Sequence, residues 1–322
     1  MRRPLALLGL PLLVLAAGCA PAGTGAETPP VGPDASSDHR WEAFHQRAVE
    51  VAEAWHPGPT WTKGYVPLQG PTVLTGDPGF TPDTETAFQA GWYREQFALP
   101  GTRPADGTIR FPDGTLTVPL LSAVEAYRQL DQGDPPVCEG RPQRPPTEKG
   151  GPTIEPGPDG WATGPVQNTC TPLTVTAVRL GTAPVRTSRG EAQVPAWLFT
   201  VEELTSPVAR IAVAPQAVAP APEPSAPARP APPEVVGGQD LQAVDGTRLS
   251  YRVGVGACDT GITALVQERD DVVVVGGGVS RASGVCTEQL KLAPVAVTLK
   301  APLGARPVLD VITGAPLPLG PR

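Results

Sequence analysis

The sequence predicts an α+β protein, mainly antiparallel β, in which an N-terminal α+β domain precedes a small C-terminal β-sandwich or open-barrel-like domain. Three observations carry this expectation. Residues 39–56 repeat apolar side chains at helical spacing, with Trp41, Phe44, Ala48, Val51, Ala52 and Trp55 on one stripe. From residue 173 onward, short Val- and Thr-rich runs separated by turn residues read as strands. Between the two regions, residues 214–233 are almost wholly Ala and Pro, a semi-rigid spacer able to reach roughly 60 Å if fully extended as polyproline II.

The elements follow in order. Arg2 and Arg3 precede a short apolar run over residues 5–17, and Ala16, Ala17 and Gly18 are small, the layout of a secretory leader over residues 1–18. The run is shorter than the roughly 20 apolar residues a membrane span needs, and Gly9 and Pro11 interrupt it. The segment Leu15-Ala16-Ala17-Gly18-Cys19 resembles the lipobox of bacterial lipoproteins, with Ala16 where that class usually has a larger aliphatic residue. The resemblance implies cleavage before Cys19 by a dedicated peptidase, a diacylglyceryl thioether on its thiol and an amine open to acylation. Lipoprotein processing enzymes and the lipid bilayer are then partners, and the location is the extracytoplasmic face of the cell membrane. Two or more acyl chains, at ~0.8 kcal/mol per buried methylene, anchor stably where one does not.

Residues 19–37 have almost nothing to bury and read as a disordered tether. A domain over residues 38–213 is expected to begin with the helix just described, N-capped from Ser36, Ser37 or Asp38 and stopped by Pro57-Gly58-Pro59. Residues 61–74 have weak extended character, and residues 84–97 hold a short helix broken near Gly91. Pro112-Asp113-Gly114 joins two runs as a hairpin. Ser122 and Glu125 have the spacing of a capping box, which explains Glu125 structurally. Residues 173–180, 194–201 and 208–213 read as antiparallel strands, with Pro195 favouring a sheet edge or a strand start. After a linker over residues 214–236, residues 237–322 read as almost pure strand: Leu249, Tyr251, Val253 and Val255 alternate with polar or small residues, and Val295, Val297 and Leu299 do the same.

Segments of the latter half, Leu173-Thr174-Val175-Thr176-Ala177-Val178, Thr187-Ser188-Arg189-Gly190, Val194-Pro195-Ala196-Trp197-Leu198-Phe199 and Pro302-Leu303-Gly304-Ala305-Arg306-Pro307-Val308-Leu309-Asp310, resemble uncharacterised lipoproteins and secreted proteins of streptomycetes and other actinobacteria. That resemblance implies relatives and no activity. The bias of four lysines against twenty-one arginines agrees with a high-GC actinobacterial source.

Charge limits the partners. The formal charge of −7 becomes −9 once residues 1–18, with two arginines, are removed, which argues against nucleic acid or anionic lipid headgroups. Cys138, Cys170, Cys258 and Cys286 form an even set in a compartment that permits disulfides. Of three pairings, Cys138 with Cys170 and Cys258 with Cys286 is preferred, because the Pro-rich segment separates the two pairs. A metal site lacks its usual spacing: there is no Cys-x-x-Cys, and the histidines are only His39, His45 and His56.

No catalytic constellation emerges. Neither Gly-x-Ser-x-Gly nor His-Glu-x-x-His occurs. His45 and His56 lie about 16 Å apart along their helix, too far to share an ion or a proton. The runs Gly254-Val255-Gly256 and Gly276-Gly277-Gly278 lack a following helix and read as turns between strands, not phosphate loops. Asp270 and Asp271 sit in a turn, and Asp310, interrupting an apolar run, reads as a turn-bonding or strand-edge residue. The expected function is a non-catalytic envelope module that contacts cell-wall polymer or a protein, with no cofactor or metal. The alternative is an envelope-acting hydrolase using carboxylates such as Asp310. A transporter's solute-binding lipoprotein ranks below both, because repeated strand–helix alternation is absent.

Overall fold

The computed structural model describes residues 35–135, 170–224, 229–282, 284–287 and 289–320. It is mainly antiparallel β, in two curled, open half-barrel sheets with a few helices, as the sequence predicts. α1 (Ala35–Ala54) takes the three candidate caps Ser36, Ser37 and Asp38 into its first turn and stops short of Pro57. α2 (Pro59–Lys63) replaces the weak extended character expected there, started by a proline whose fixed φ suits a first helical position. β1 (Thr72–Leu74) follows, then α3 (Pro82–Ala90), closed by Gly91 in the left-handed region at φ 70°, and β2 (Tyr93–Glu95). β3 (Gly107–Phe111) and β4 (Gly114–Val118) form the expected hairpin. α4 (Ala123–Leu130) opens with both capping-box bonds: Ser122 Oγ accepts from the Glu125 N–H at 3.2 Å, and Glu125 Oε2 accepts from the Ser122 N–H at 2.9 Å. The Arg103 guanidinium, and after it the Ser122 backbone, hold the Glu125 carboxyl down to about 2.

β5 (Leu173–Thr187) and β6 (Gly190–Val201) make the long hairpin of the first sheet, and β7 (Val208–Ile211) continues it. The strand order is β1-β7-β6-β3-β4, with β5 beside β6 and, in parallel, beside β2. Pro195 is neither at an edge nor at a strand start but inside β6. It is tolerated because one side of β6 changes partner there: Gln193 faces Arg110 of β3, and Ala196 faces Ile211 of β7. No neighbour waits at this seam for the missing N–H, while the Pro195 carbonyl accepts from Ala212 at 2.9 Å. Ile109, Leu173, Val194 and Phe199 fill the core behind this sheet, and Trp197 satisfies its indole N–H on the Leu121 carbonyl at 3.0 Å.

The Ala/Pro-rich segment is held at both ends instead of spanning free. Ala219 donates to the Tyr65 carbonyl at 2.9 Å, and the Arg229 carbonyl accepts from Arg47 at 2.7 Å. The second sheet is built from β8 (Val235–Asp245), β9 (Arg248–Gly256), β10 (Thr260–Glu268), β11 (Val273–Ser280) and β12 (Leu290–Thr298), in the order β10-β11-β8-β9-β12, with β13 (Val308–Asp310) parallel to β11. β8 starts against β11 and finishes against β9, which curls the sheet. Inside the curl, the buried Tyr251 hydroxyl lies 3.1 and 2.8 Å from the carbonyl oxygens of Leu265 and Gly276.

Two expectations are corrected here. Neither glycine run is a turn: Gly254, Val255 and Gly256 end β9, and Gly276, Gly277 and Gly278 lie inside β11, where a Cβ at Gly276 would stand 2.5 Å from Val311 and one at Gly277 2.9 Å from Val236. The helix α1, expected in the N-terminal domain of residues 38–213, packs on the second sheet instead. Phe44, Ala48, Val51 and Ala52 are buried against Val235, Leu265, Val274 and Leu309, so the grouping by sequence order does not describe where α1 is buried. The glycines make this possible, since Phe44 comes close over Gly276. Trp41, at the open end of the stripe, is 47% exposed.

The chain also bonds Cys258 to Cys286, tying the β9–β10 turn to the β11–β12 loop across 28 residues. Converting both cysteines to serine is expected to lower unfolding free energy by about 3–4 kcal/mol through loss of loop closure, read by urea denaturation. Phe44→Ala is expected to cost about 3–5 kcal/mol in the same measurement, the scale for emptying a buried aromatic site. An unchanged urea midpoint would mean that α1 does not seal the second sheet.

Candidate functional site

The two sheets meet through a strip of backbone. Thr187, at the end of β5, is held by the extended segment before β1: Ser188 donates to the Val66 carbonyl at 3.0 Å, and Leu68 donates to the Arg186 carbonyl at 2.8 Å. The other edge of that segment is taken by the C-terminal tail, where Leu319 donates to the Leu68 carbonyl at 2.6 Å. The tail in turn pairs with β8, Leu241 donating to Pro318 at 2.8 Å and Gly320 to Leu241 at 2.8 Å. Proline at 67, 316 and 318 keeps these short pieces extended without demanding further donors.

Cavities open on either side of this strip. Residues 184–186 alternate across β5, so Val185 lines one cavity while Pro184 and Arg186 line the other. The first, of about 490 Å³, is walled by Tyr65, Ile211, Val213 and Val218, and burial pushes the Tyr65 hydroxyl above its ordinary range. The second, of about 830 Å³, is the cleft between the sheets, with Leu74, Phe88, Pro184, Val244 and Leu319 among its walls. Both volumes fall in the range of small-molecule sites, and apolar walls with few polar groups are their usual composition.

The charged groups of the cleft are Arg186 and Glu191, which face each other across the β5–β6 ladder. Arg186 is only 8% exposed. Its backbone N–H donates to Gln69 Oε1 at 2.7 Å and its Nη2 donates to the Arg306 carbonyl at 3.1 Å, while its buried Nε–H meets no acceptor. No carboxylate among the described residues lies within ion-pairing distance of it. Burial draws the guanidinium down to about 10, with Glu191 acting in the opposite sense, so it stays charged at neutral pH. One fixed cation and one exposed carboxylate can hold and orient a molecule, but they do not make a nucleophile with its base or an acid–base pair.

The residues singled out in the sequence do not converge on this cleft. Cys19 and Cys138 lie outside the described residues. Cys170 is disulfide-bonded, and the expected pairing with Cys138 lies outside the described residues. His45 stacks on Trp41 with ring centroids 4.8 Å apart, and His56 lies against the Ala54 carbonyl. Among the described residues no three His, Cys, Asp or Glu side chains gather as a metal site, and no helix is long and apolar enough to cross a membrane. Asp270 and Asp271 are exposed in their turn.

Asp310 is 3% exposed and lines neither cavity. Its Oδ1 accepts from the Gly238 N–H at 2.9 Å, and its Oδ2 accepts from the Thr313 N–H and hydroxyl at 2.9 and 2.8 Å. The carboxylate thus fastens the 310–313 turn to β8. Sequence reasoning missed Arg186, Gln69 and Glu191, because no local motif marks them and Gln69 meets Arg186 only through the pairing of residues 66–69 with the end of β5.

Comparison of the chain with protein-family models, curated proteins and solved structures finds no match.

Asp310→Ala strips three hydrogen bonds from buried or half-buried donors and is expected to cost about 3 kcal/mol or more of stability in urea denaturation. A variant with wild-type stability would free this carboxylate for a chemical role.

Proposed function

We propose that the chain is a lipid-anchored extracytoplasmic binding protein of the cell envelope, held at the membrane through Cys19, whose ligand enters the cleft between its two sheets and leaves chemically unchanged. The single observation that carries the binding part is the cleft of about 830 Å³, largely apolar in its walls, whose charged groups among the described residues are the buried Arg186 and the exposed Glu191. Asp310, the carboxylate a hydrolase reading depends on, already has one oxygen bonded to β8 at Gly238 and the other bonded within its own turn at Thr313. The anchoring part is supported by Leu15-Ala16-Ala17-Gly18-Cys19 and by the secretory layout before it. The Cys258–Cys286 bond accords with an oxidising compartment.

The test has two readouts in one set of cells. Wild-type protein is expected to incorporate labelled fatty acid and enter the detergent phase, whereas Cys19→Ala stays unlabelled and partitions into buffer. A photo-crosslinking residue at position 305, at the cleft, is expected to capture an envelope component in intact cells, and one at position 128, on exposed α4 surface, is not. An unlabelled wild-type protein would remove the anchor from the reading, and identical capture at both positions would remove the cleft.

A further inference from the structure

We propose that the cleft binds an amphipathic ligand, an apolar chain ending in an oxyanion head of carboxylate or phosphate type that pairs with Arg186. This rests on the reading of the cleft as a ligand site and adds the chemistry of what fills it.

The buried arginines of this protein are not alike. Arg47 spends its guanidinium on three carbonyl oxygens, those of Val311, Ile312 and Arg229, at 2.9, 2.9 and 2.7 Å. Arg306 reaches the carbonyls of Arg269, Ala301 and Pro302 and pairs with Glu268. Arg186 has five N–H donors and, among the described residues, bonds a protein acceptor with Nη2 alone. Its Nε–H is enclosed and unpaired. A guanidinium withdrawn from water and left without an anion is destabilising, and the planar fork it presents matches a carboxylate or phosphate in two parallel bonds. The cleft that Arg186 lines is the path by which such an acceptor reaches its remaining donors.

The rest of the cleft says what the head is attached to. Leu74, Phe88, Pro184, Val244 and Leu319 offer no hydrogen-bonding side chains, so they fit alkyl or other apolar substituents. Gln69 lies between wall and head: its Oε1 is taken by the Arg186 backbone, and its amide N–H₂ meets no acceptor among the described residues and faces the same oxyanion. Glu191, on the rung opposite Arg186, is exposed at the cleft and repels an anion. It weakens binding without blocking it, since it lies beside water and Arg186 does not.

The proposal is tested by calorimetric titration of the full mature protein with dodecanoate, dodecyl phosphate, dodecanol and inorganic phosphate, each below any micellar concentration. Both amphipathic anions are expected to bind roughly 10- to 100-fold more tightly than dodecanol, the ratio given by one charge-assisted contact. Inorganic phosphate, lacking the chain, is expected to bind weakly. Arg186→Met is expected to bring both anions down to the affinity of dodecanol while keeping the wild-type melting temperature or raising it, because it removes a buried charge that has no carboxylate in ion-pairing contact among the described residues. Arg186→Lys retains part of the preference, and Glu191→Gln tightens both anions. Ala305→Trp, at an exposed position beside Gly190, blocks all three long-chain probes.

Dodecanol binding as tightly as dodecanoate would overturn the oxyanion head while leaving the cleft as a ligand site. Inorganic phosphate matching dodecyl phosphate would overturn the apolar chain. Undiminished binding of long-chain probes to Ala305→Trp would overturn the cleft itself. A lower melting temperature in Arg186→Met with unchanged anion affinity would make Arg186 structural, and failure of every probe to bind would overturn the proposal outright.

Discussion

Residues 66–69 hydrogen-bond on one edge to the end of β5 and on the other to the C-terminal tail, and the tail passes the pairing on to β8. This shared backbone is the constraint on which the cleft depends. A buried N–H or C=O must find a partner, so the extended segment cannot leave either sheet without stranding polar groups. Register matters as much as attachment. A slip of one residue would turn every side chain of the strip to the opposite face, taking Gln69 from the Arg186 N–H and Leu319 from the cleft wall.

The strip also explains which buried charges the protein tolerates. Where two sheets and a helix are joined by loops, carbonyl groups at the loop ends lack strand partners. Arg47 and Arg306 collect those carbonyls, three around the 311–312 turn and residue 229, and others around 269 and 301–302. Asp310 does the converse for stray N–H groups at Gly238 and Thr313. Each of these ions closes a gap in backbone pairing, so its desolvation is offset on the spot. Arg186 sits at the same kind of junction and closes only one such gap, which is why its spare donors mark a site and those of Arg47 do not.

Much of the fold was legible because local patterns and packing agree. The alternation through Leu249, Tyr251, Val253 and Val255 survives intact, since only one face of β9 is buried. The box at Ser122 and Glu125 depends on neighbours three residues apart and is present with both bonds. What could not be read depends on distant residues. The apolar stripe of α1 shows that Phe44 and Val51 pack, but not that their partners, Val274 and Leu309, come more than two hundred residues later. The glycines of β11 show no alternation because they have no side chains, and their strand character comes from α1 and β8 pressing close on either side. The cleft is illegible for the same reason. Arg186 lies beyond the 173–180 run that reads as strand, and only the fold places it on β5 and reveals that Gly246, Pro302 and Ala305 of the second half roof that side.

Two rigid attachments follow from this arrangement. The Ala/Pro-rich segment is tied to Tyr65 at residue 219 and to Arg47 at residue 229. The tail adds a second connection through Leu319. With both in place, the walls of the cleft are set before any ligand arrives, and association need not supply the entropy of ordering them. The buried guanidinium is fixed in the same way, by its bond to the Arg306 carbonyl, so an incoming acceptor meets a donor whose rotamer entropy was lost during folding. Preorganisation of this kind places the cost of desolvating Arg186 on the stability of the empty protein, and a ligand bound there recovers part of that cost as affinity.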